Sequence, residues 1–451
     1  MNKIICGLFV FILSLYNAYG QIEKDTIIKT DSIQSIAITS QEDTINKEAD
    51  KFKFQQQPGL GLAASKIFFS KKRWSVSGFG EFNYVPLQKK RDTDLGDLEL
   101  SYSGLYRYST FFGYRITDKL IWNSEFMMEF LHDNSKSHHE IMVEAYLDYL
   151  WKDYLKARVG FYPITIGYVN SNDEPIMFYS VNRSEVERLI VPTTWIEFGA
   201  MFYGNISKDW SYALGLSQGL ISKNYLSGTW IRQGREMRIA KPNSIAINPQ
   251  INYTGVKNLT LSASGYYGNS GQGEKVEIEG KEVELKSKIN LTTAYAKYDW
   301  NNFRFVTVGV YGELGDTEKN YQLTQDDNGS NGQVLGKNVY GYLFEVGCDI
   351  LPYIRKTGTI KHKKNFFFDN HEMKFSLFSR YERLNTHHKI HPDLKNLEKV
   401  ENNLNIWTFG FNFNTKENIV FKANYQYRKS ATVGDLQPTN HIIETGIGFI
   451  F

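Results

Sequence analysis

His441-Ile442-Ile443-Glu444-Thr445-Gly446-Ile447-Gly448-Phe449-Ile450-Phe451 reads as a β-strand. Ile443, Ile447, Phe449 and Phe451 fall on one face and Glu444, Gly446 and Gly448 on the other, the period of two that a pleated backbone imposes. A final strand that is apolar on one side and ends on an aromatic residue suits a closed membrane barrel. There the last strand must pair with the first and leave no unpaired edge in lipid. The alternative is an edge strand of a soluble β protein, and the rest of the chain decides between them.

The composition is strand-rich. Of 451 residues 15% are aromatic, with 29 Tyr and 30 Phe against 10 Pro, a usage that suits strands and aromatic girdles. Mean hydropathy is −0.41, as expected when every second strand residue faces water. The formal charge of +3 is too small to imply a nucleic-acid partner. The N-terminus reads as a signal peptide over residues 1–20: Lys3, an apolar run over 4–16, then Ala18-Tyr19-Gly20 before Gln21. Cys6 lies in that segment, which leaves Cys348 alone and no intrachain disulfide. Residues 21–58 are rich in Thr, Ser, Asp, Lys and Gln and read as a flexible periplasmic arm. Residues 59–451 read as the barrel.

Sixteen strand candidates follow one another. They lie near 74–85, 100–115, 120–131, 139–151, 155–168, 194–206, 210–219, 243–254, 259–268, 286–299, 303–314, 337–350, 371–384, 402–414, 418–428 and 440–451. Short turns such as Thr117-Asp118-Lys119, Lys208-Asp209 and Asn301-Asn302 alternate with longer loops near 86–99, 169–193, 220–242, 269–285, 315–336 and 385–401. Short periplasmic turns opposite long extracellular loops define the up-and-down antiparallel barrel of an outer membrane, and about sixteen strands enclose a lumen. The basic stretch 351–370 is the one long connection expected on the short-turn side.

Alternation assigns faces. Trp122, Phe126, Met128 and Phe130 should meet lipid, with Asn123, Glu125 and Glu129 inward. Ile141, Val143, Leu147 and Tyr149 face out, with Glu140, Glu144 and Asp148 inward. Lys156 and Arg158, then Lys374, Arg380 and Glu382, then Lys422, Asn424, Gln426 and Arg428 also point inward. Unpaired charges are expensive in a dry core but select ions in a wet pore. Glu125, Glu129, Glu144 and Asp148 would form an acidic wall; bases recur at Lys156 and Arg158 and at Lys374, Arg380 and Lys422, the last three forming a basic wall across the lumen. Pairing, for example Glu144 with Arg158, is the competing reading. Loop 169–193 carries Asp173, Glu174, Arg183, Glu185, Glu187 and Arg188 beside Phe178 and Tyr179. It is the candidate for an inward-folded constriction.

Several blocks together resemble a known family. They are Ser124-Glu125-Phe126-Met127-Met128-Glu129, Glu144-Ala145-Tyr146-Leu147-Asp148, and Arg158-Val159-Gly160-Phe161-Tyr162-Pro163. The longest runs from Glu174-Pro175-Ile176-Met177-Phe178-Tyr179-Ser180-Val181-Asn182-Arg183 to Ser184-Glu185-Val186-Glu187. Arg380-Tyr381-Glu382-Arg383-Leu384 adds to it. The chain resembles the phosphate-selective porin O/P family of Gram-negative outer membranes, in its Bacteroidetes-type relatives. The resemblance implies a sixteen-stranded homotrimeric porin in outer-membrane lipid, passing small anionic or polar solutes such as phosphate, without a cofactor. It places Arg183 and Arg188 at the constriction, as donors to an anion. A non-selective general porin is the alternative, since the inward positions hold at least as many acids as bases.

An enzyme is not expected. No Gly-x-Ser-x-Gly, P-loop or dinucleotide fingerprint is present. The histidine cluster His387-His388-Lys389-Ile390-His391 reads as a polar loop rather than a metal site. A surface β-rich binding protein is a further alternative.

Overall fold

The computed structural model describes residues 56–86, 102–132, 137–236, 243–325, 332–355, 363–365, 367–430 and 441–451. The expected signal peptide, the arm through residue 55 and most of loop 86–99 lie outside the described residues. Sixteen antiparallel strands form a closed barrel. They are β1 (Trp74–Val85), β2 (Tyr102–Arg115), β3 (Leu120–His132), β4 (Ser137–Lys152), β5 (Leu155–Pro163), β6 (Ile196–Asn205), β7 (Trp210–Gln218) and β8 (Ile245–Tyr253). Then come β9 (Leu259–Gly268), β10 (Ile289–Trp300), β11 (Phe303–Leu314), β12 (Asn338–Asp349), β13 (Lys374–Lys389), β14 (Asn403–Lys416), β15 (Ile419–Ser430) and β16 (His441–Ile450). Each strand pairs with its sequence neighbours, and β16 pairs with β1 from Phe79↔Ile450 to Tyr84↔Thr445. The C-terminal strand thus closes the sheet. The ring of Phe449 covers Gly80 and that of Phe451 covers Gly78, so aromatic surface replaces the side chains those glycines lack.

The outer face is apolar. Phe126, Ile141, Leu147, Val159, Phe202, Leu216, Ile251 and Phe344 are exposed on it. So continuous an apolar surface is stable against lipid, not water. At the short-turn end Trp74, Tyr114, Trp151, Trp210 and Trp300 are exposed; toward the other end stand Tyr84, Tyr267, Tyr311 and Tyr427. Trp74 and Tyr84 share the outer face of β1, ten residues apart. At about 3.3 Å per residue and a tilt of about 40°, they sit roughly 25 Å apart along the barrel axis, the height of an outer-membrane apolar band. The barrel is that of a transmembrane protein of a Gram-negative outer membrane.

Two strand ends lie five residues from the sequence reading. β5 stops at Pro163 rather than 168, because proline cannot donate the next ladder bond; Ile164 and Ile166 turn inward and are buried. β13 runs on to Lys389, so His387 and His388 are strand residues, not loop. The loop between β5 and β6 therefore spans 164–195. A small hairpin, Lys275–Ile278 with Lys281–Glu284, decorates the β9–β10 connection.

Candidate functional site

Loop 164–195 folds into the barrel. It contains one short helix, α2 (Glu185–Leu189), following α1 (Lys66–Phe69) earlier in the chain. Ser184 caps α2 by accepting from the Glu187 N–H. Glu187 in turn accepts from the Tyr168 and Val169 N–H groups at 2.6 and 3.0 Å, which ties the two limbs of the loop together. The apolar residues Val186, Leu189 and Ile190 are fully buried. They belong to one buried hydrophobic cluster with apolar residues of the inner wall, among them Leu291, Val306, Val308, Val339 and Leu343. Gly341 on β12 admits this contact; an added Cβ would lie 2.8 Å from Val186 Cγ1.

The polar residues of the loop meet the charged wall. Arg107 on β2 holds Glu81 through Nε and Nη2 at 2.9 and 3.1 Å, and reaches the Asp173 carboxylate at 3.3 Å and its carbonyl at 2.6 Å. Arg183 donates to Glu129 at 2.8 Å, to the Tyr106 hydroxyl at 3.2 Å and to Thr194 at 2.8 Å. Glu185 takes Arg188 on one oxygen and, at 2.9 Å, Arg428 of β15 on the other. Burial by itself pushes the Glu185 carboxyl up, but the Arg188 and Arg428 guanidiniums overrule it and hold it down at about 2. Arg380 donates to Ser180 at 2.6 Å and lies 2.8 and 3.5 Å from Glu382 and Glu345. Lys422 donates to the carbonyls of Phe178 and Ser180 at 2.8 and 3.1 Å, under the Phe178 ring. Asn182 donates to Glu444 at 2.7 Å.

The expected site residues divide as follows. Arg183, Arg188, Arg380, Lys422, Glu129 and the added Arg428 converge on the loop. Arg158 stays on the wall: its Nε lies 3.1 and 3.2 Å from the Asp148 oxygens, between the rings of Tyr146 and Tyr203. The partner is Asp148 rather than Glu144 because the register sets Asp148 directly opposite Arg158. Glu144 faces Glu125 across β3 and β4. With Asp173 and Glu174 they line a cavity of about 30 Å³, room for about two waters. Burial, with the Asp173 carboxylate beside it, pushes Glu174 up to about 8. Lys156 is partly exposed near Asp153, and Lys374 opens β13 as an exposed residue. The acidic and basic walls do not oppose each other across open water. β13 and β15 lie four to seven strands from β3 and β4, round through the β1–β16 seam, where diametric opposition needs eight. Most of their charges are neutralised in pairs.

Sequence reading missed Glu81, Arg107, Tyr106, Lys297 and Arg304. The first two obey plain alternation and were legible. Tyr106 was not, because β2 carries a bulge: Glu81 pairs with Arg107 and Phe82 with Leu105, so Tyr106 is the extra residue and both Tyr106 and Arg107 turn inward. Lys297 and Arg304 flank Asp299 near the β10–β11 turn, with side chains 26% and 32% exposed. The histidines do not converge: His387 is buried against the Val334 carbonyl at 3.0 Å, while His391 pairs with Asp393. Among the described residues no group of three or more His, Cys, Asp or Glu is placed to hold a metal.

No family model matches the chain. An uncharacterised protein of Aquifex aeolicus (strain VF5) is 27% identical over 380 residues, covering 82% of this chain and 79% of that one. OmpF of Salmonella typhi, solved with daunomycin, superposes with a TM-score of 0.50 at 9% identity, over 84% of this chain and 97% of that one. An anion-selective porin from Comamonas acidovorans gives 0.44 at 11% identity, over 84% and 99%. The outer membrane channel DcaP of Acinetobacter baumannii gives 0.49 at 11%, over 84% and 97%. At these identities it is the fold that is shared, a sixteen-stranded outer-membrane porin barrel.

Proposed function

We propose that the protein is an outer-membrane porin through which small hydrophilic solutes diffuse passively, with small anions such as phosphate as the preferred class. The supporting observation is the charged loop 164–195 crossing a barrel that is apolar outside and polar over much of its inner wall. A loop so placed narrows a lumen without closing the sheet, and its charges meet whatever passes. The loop, including 169–193, is read as the constriction. Arg183 and Arg188 sit in it, but their guanidiniums are engaged by Glu129 and Glu185. A passing anion therefore first meets cations that keep part of their side chain in water: Lys156, Lys297, Arg304 and the exposed Lys374. Arg158, Arg380 and Lys422 are read as setting the positive potential behind them, against Glu125, Glu129, Glu144 and Asp148. The family resemblance adds a homotrimer, which native mass of the detergent-solubilised protein tests directly.

Single-channel recording in a planar bilayer, under a KCl gradient and then with added phosphate, tests the reading. Discrete steps, an anion-biased reversal potential and block by phosphate are expected. Steps without bias would leave a general porin, the second reading, which the pairing of many interior charges, such as Arg158 with Asp148 and Arg183 with Glu129, favours. Silence from protein shown to be folded and inserted would overturn both.

A further inference from the structure

Residues 56–70 do not approach β1 along the outside of the barrel. They lie inside it. Leu60, Ala63, Ala64 and Ile67 are buried, and each stretch of the segment is tied to a different element. Gln57 donates to the Tyr203 hydroxyl on β6 at 3.1 Å. The Ala63 N–H donates to Glu174 of the loop at 2.7 Å. The Ser77 hydroxyl of β1 donates to the Ala63 carbonyl at 2.6 Å, and Asn123 of β3 to the Ala64 carbonyl at 2.9 Å. Arg115 at the end of β2 reaches the Ile67 carbonyl at 2.9 Å. Packing against the loop is tight: a Cβ at Gly61 would lie 2.3 Å from Glu174 Oε1, and Gly59, at φ +77°, would meet Thr165.

The strap, loop 164–195 and the inward segment 220–236, whose Trp230 packs on Gly312 of β11 and whose Arg232 reaches the Arg188 carbonyl, together cover the wall. Taking one inward residue per strand from β1 to β16, Glu81, Arg107, Glu129, Asp148, Arg158, Met201, Ala213, Asn248, Ser264, Thr293, Val308, Leu343, Glu382, Thr408, Gln426 and Glu444 are all buried. A lumen open at full bore would wet such positions.

We propose that residues 56–70 are an intramolecular strap that occludes the lumen on the β1–β6 side, and that full conductance requires the strap to leave its seat. This rests on the porin reading above. The strap has no ladder hydrogen bonds, so it can leave its seat without breaking a strand pairing, at the cost of its buried anchors and its ties to the wall and loop.

The test compares the full-length protein with a Leu60→Ser/Ile67→Ser variant, which removes apolar anchors without touching the barrel strands. Both are first checked for heat-modifiable migration on unboiled gels. In parallel, Ala64→Cys in a Cys348→Ser background is labelled with a membrane-impermeant maleimide, against Asp118→Cys in an exposed turn. If the serine variant does not assemble, Ser77→Ala/Asn123→Ala cuts two wall ties instead. A several-fold larger conductance in the loosened variant is expected. Ala64→Cys should label at least about tenfold more slowly than Asp118→Cys in the otherwise native barrel, and faster once the anchors are removed. Equal conductance from both folded proteins overturns the gate and leaves the porin standing. Labelling of Ala64→Cys as fast as Asp118→Cys overturns the seated strap. No conductance from either folded protein overturns the porin reading, and the gate with it.

Discussion

Replacing Arg183 by methionine should loosen the inserted loop while sparing the barrel. Arg183 Nη2 lies 2.8 Å from Glu129 Oε1, with both side chains almost wholly removed from water. The other Glu129 oxygen has no partner. Methionine keeps much of the volume and deletes the charge, which leaves a buried carboxylate with only the Tyr106 hydroxyl as donor. Removing one partner of a buried pair costs about 3–5 kcal/mol, whereas replacing both by neutral groups is often near neutral. At about 1.4 kcal/mol per decade, the docked-to-undocked ratio of the loop should fall roughly a hundredfold to several thousandfold. The sheet hydrogen bonds are untouched, so the loss falls on the loop. Hydrogen–deuterium exchange of peptides covering 176–190, in detergent, reads it out. Exchange there should accelerate by two or more decades in Arg183→Met and return most of the way in Arg183→Met/Glu129→Gln, while β7–β11 stay protected. Acceleration below about tenfold, or a double variant no better than the single, would refute the pairing as the loop's anchor.

Three more outcomes follow from the geometry. Glu174, held near 8 against about 4.3 in an unfolded chain, favours the docked strap and loop most at low pH. That contribution shrinks as pH rises above about 4.3 and is gone above about 8, because between them the native state binds the extra proton; labelling of Ala64→Cys should therefore quicken from about pH 5 to about pH 8 and then level off, and Glu174→Gln should flatten the profile. Gly78→Val should abolish assembly, since its Cβ would lie 2.2 Å from the Ser109 carbonyl, whereas Gly309→Val, with nothing within 4 Å, should assemble normally; heat-modifiable migration separates the two. Arg304→Glu should move the reversal potential toward cations, since it reverses a partly wetted charge beside Asp299; an unchanged potential would remove the β10–β11 mouth from the selectivity path.

The strands themselves and the faces of the barrel were legible because both are local. A period of two in 120–131 or 418–428 states which residues meet lipid, whatever lies across the lumen. Lipid accepts no unpaired backbone, so sixteen such segments had to close on themselves, and His441–Ile450 had to close them. Inward placement of Glu129, Arg158, Arg380 and Lys422 followed from the same alternation.

What those charges touch was decided by tertiary structure alone. Arg158 takes Asp148 instead of Glu144 because the β4–β5 register puts it opposite. Tyr106 joins Arg183 and Glu129 because a bulge spoils the alternation that would otherwise send it into lipid. Loop 164–195 lies inside because Val186 and Ile190 find Gly341 on β12, far away in sequence, while its arginines find carboxylates on β3 and in the loop itself. Residues 56–70 lie inside because that loop builds the other half of their seat. Periodicity is a property of a single strand, but partners across a lumen depend on how every strand is staggered around the barrel.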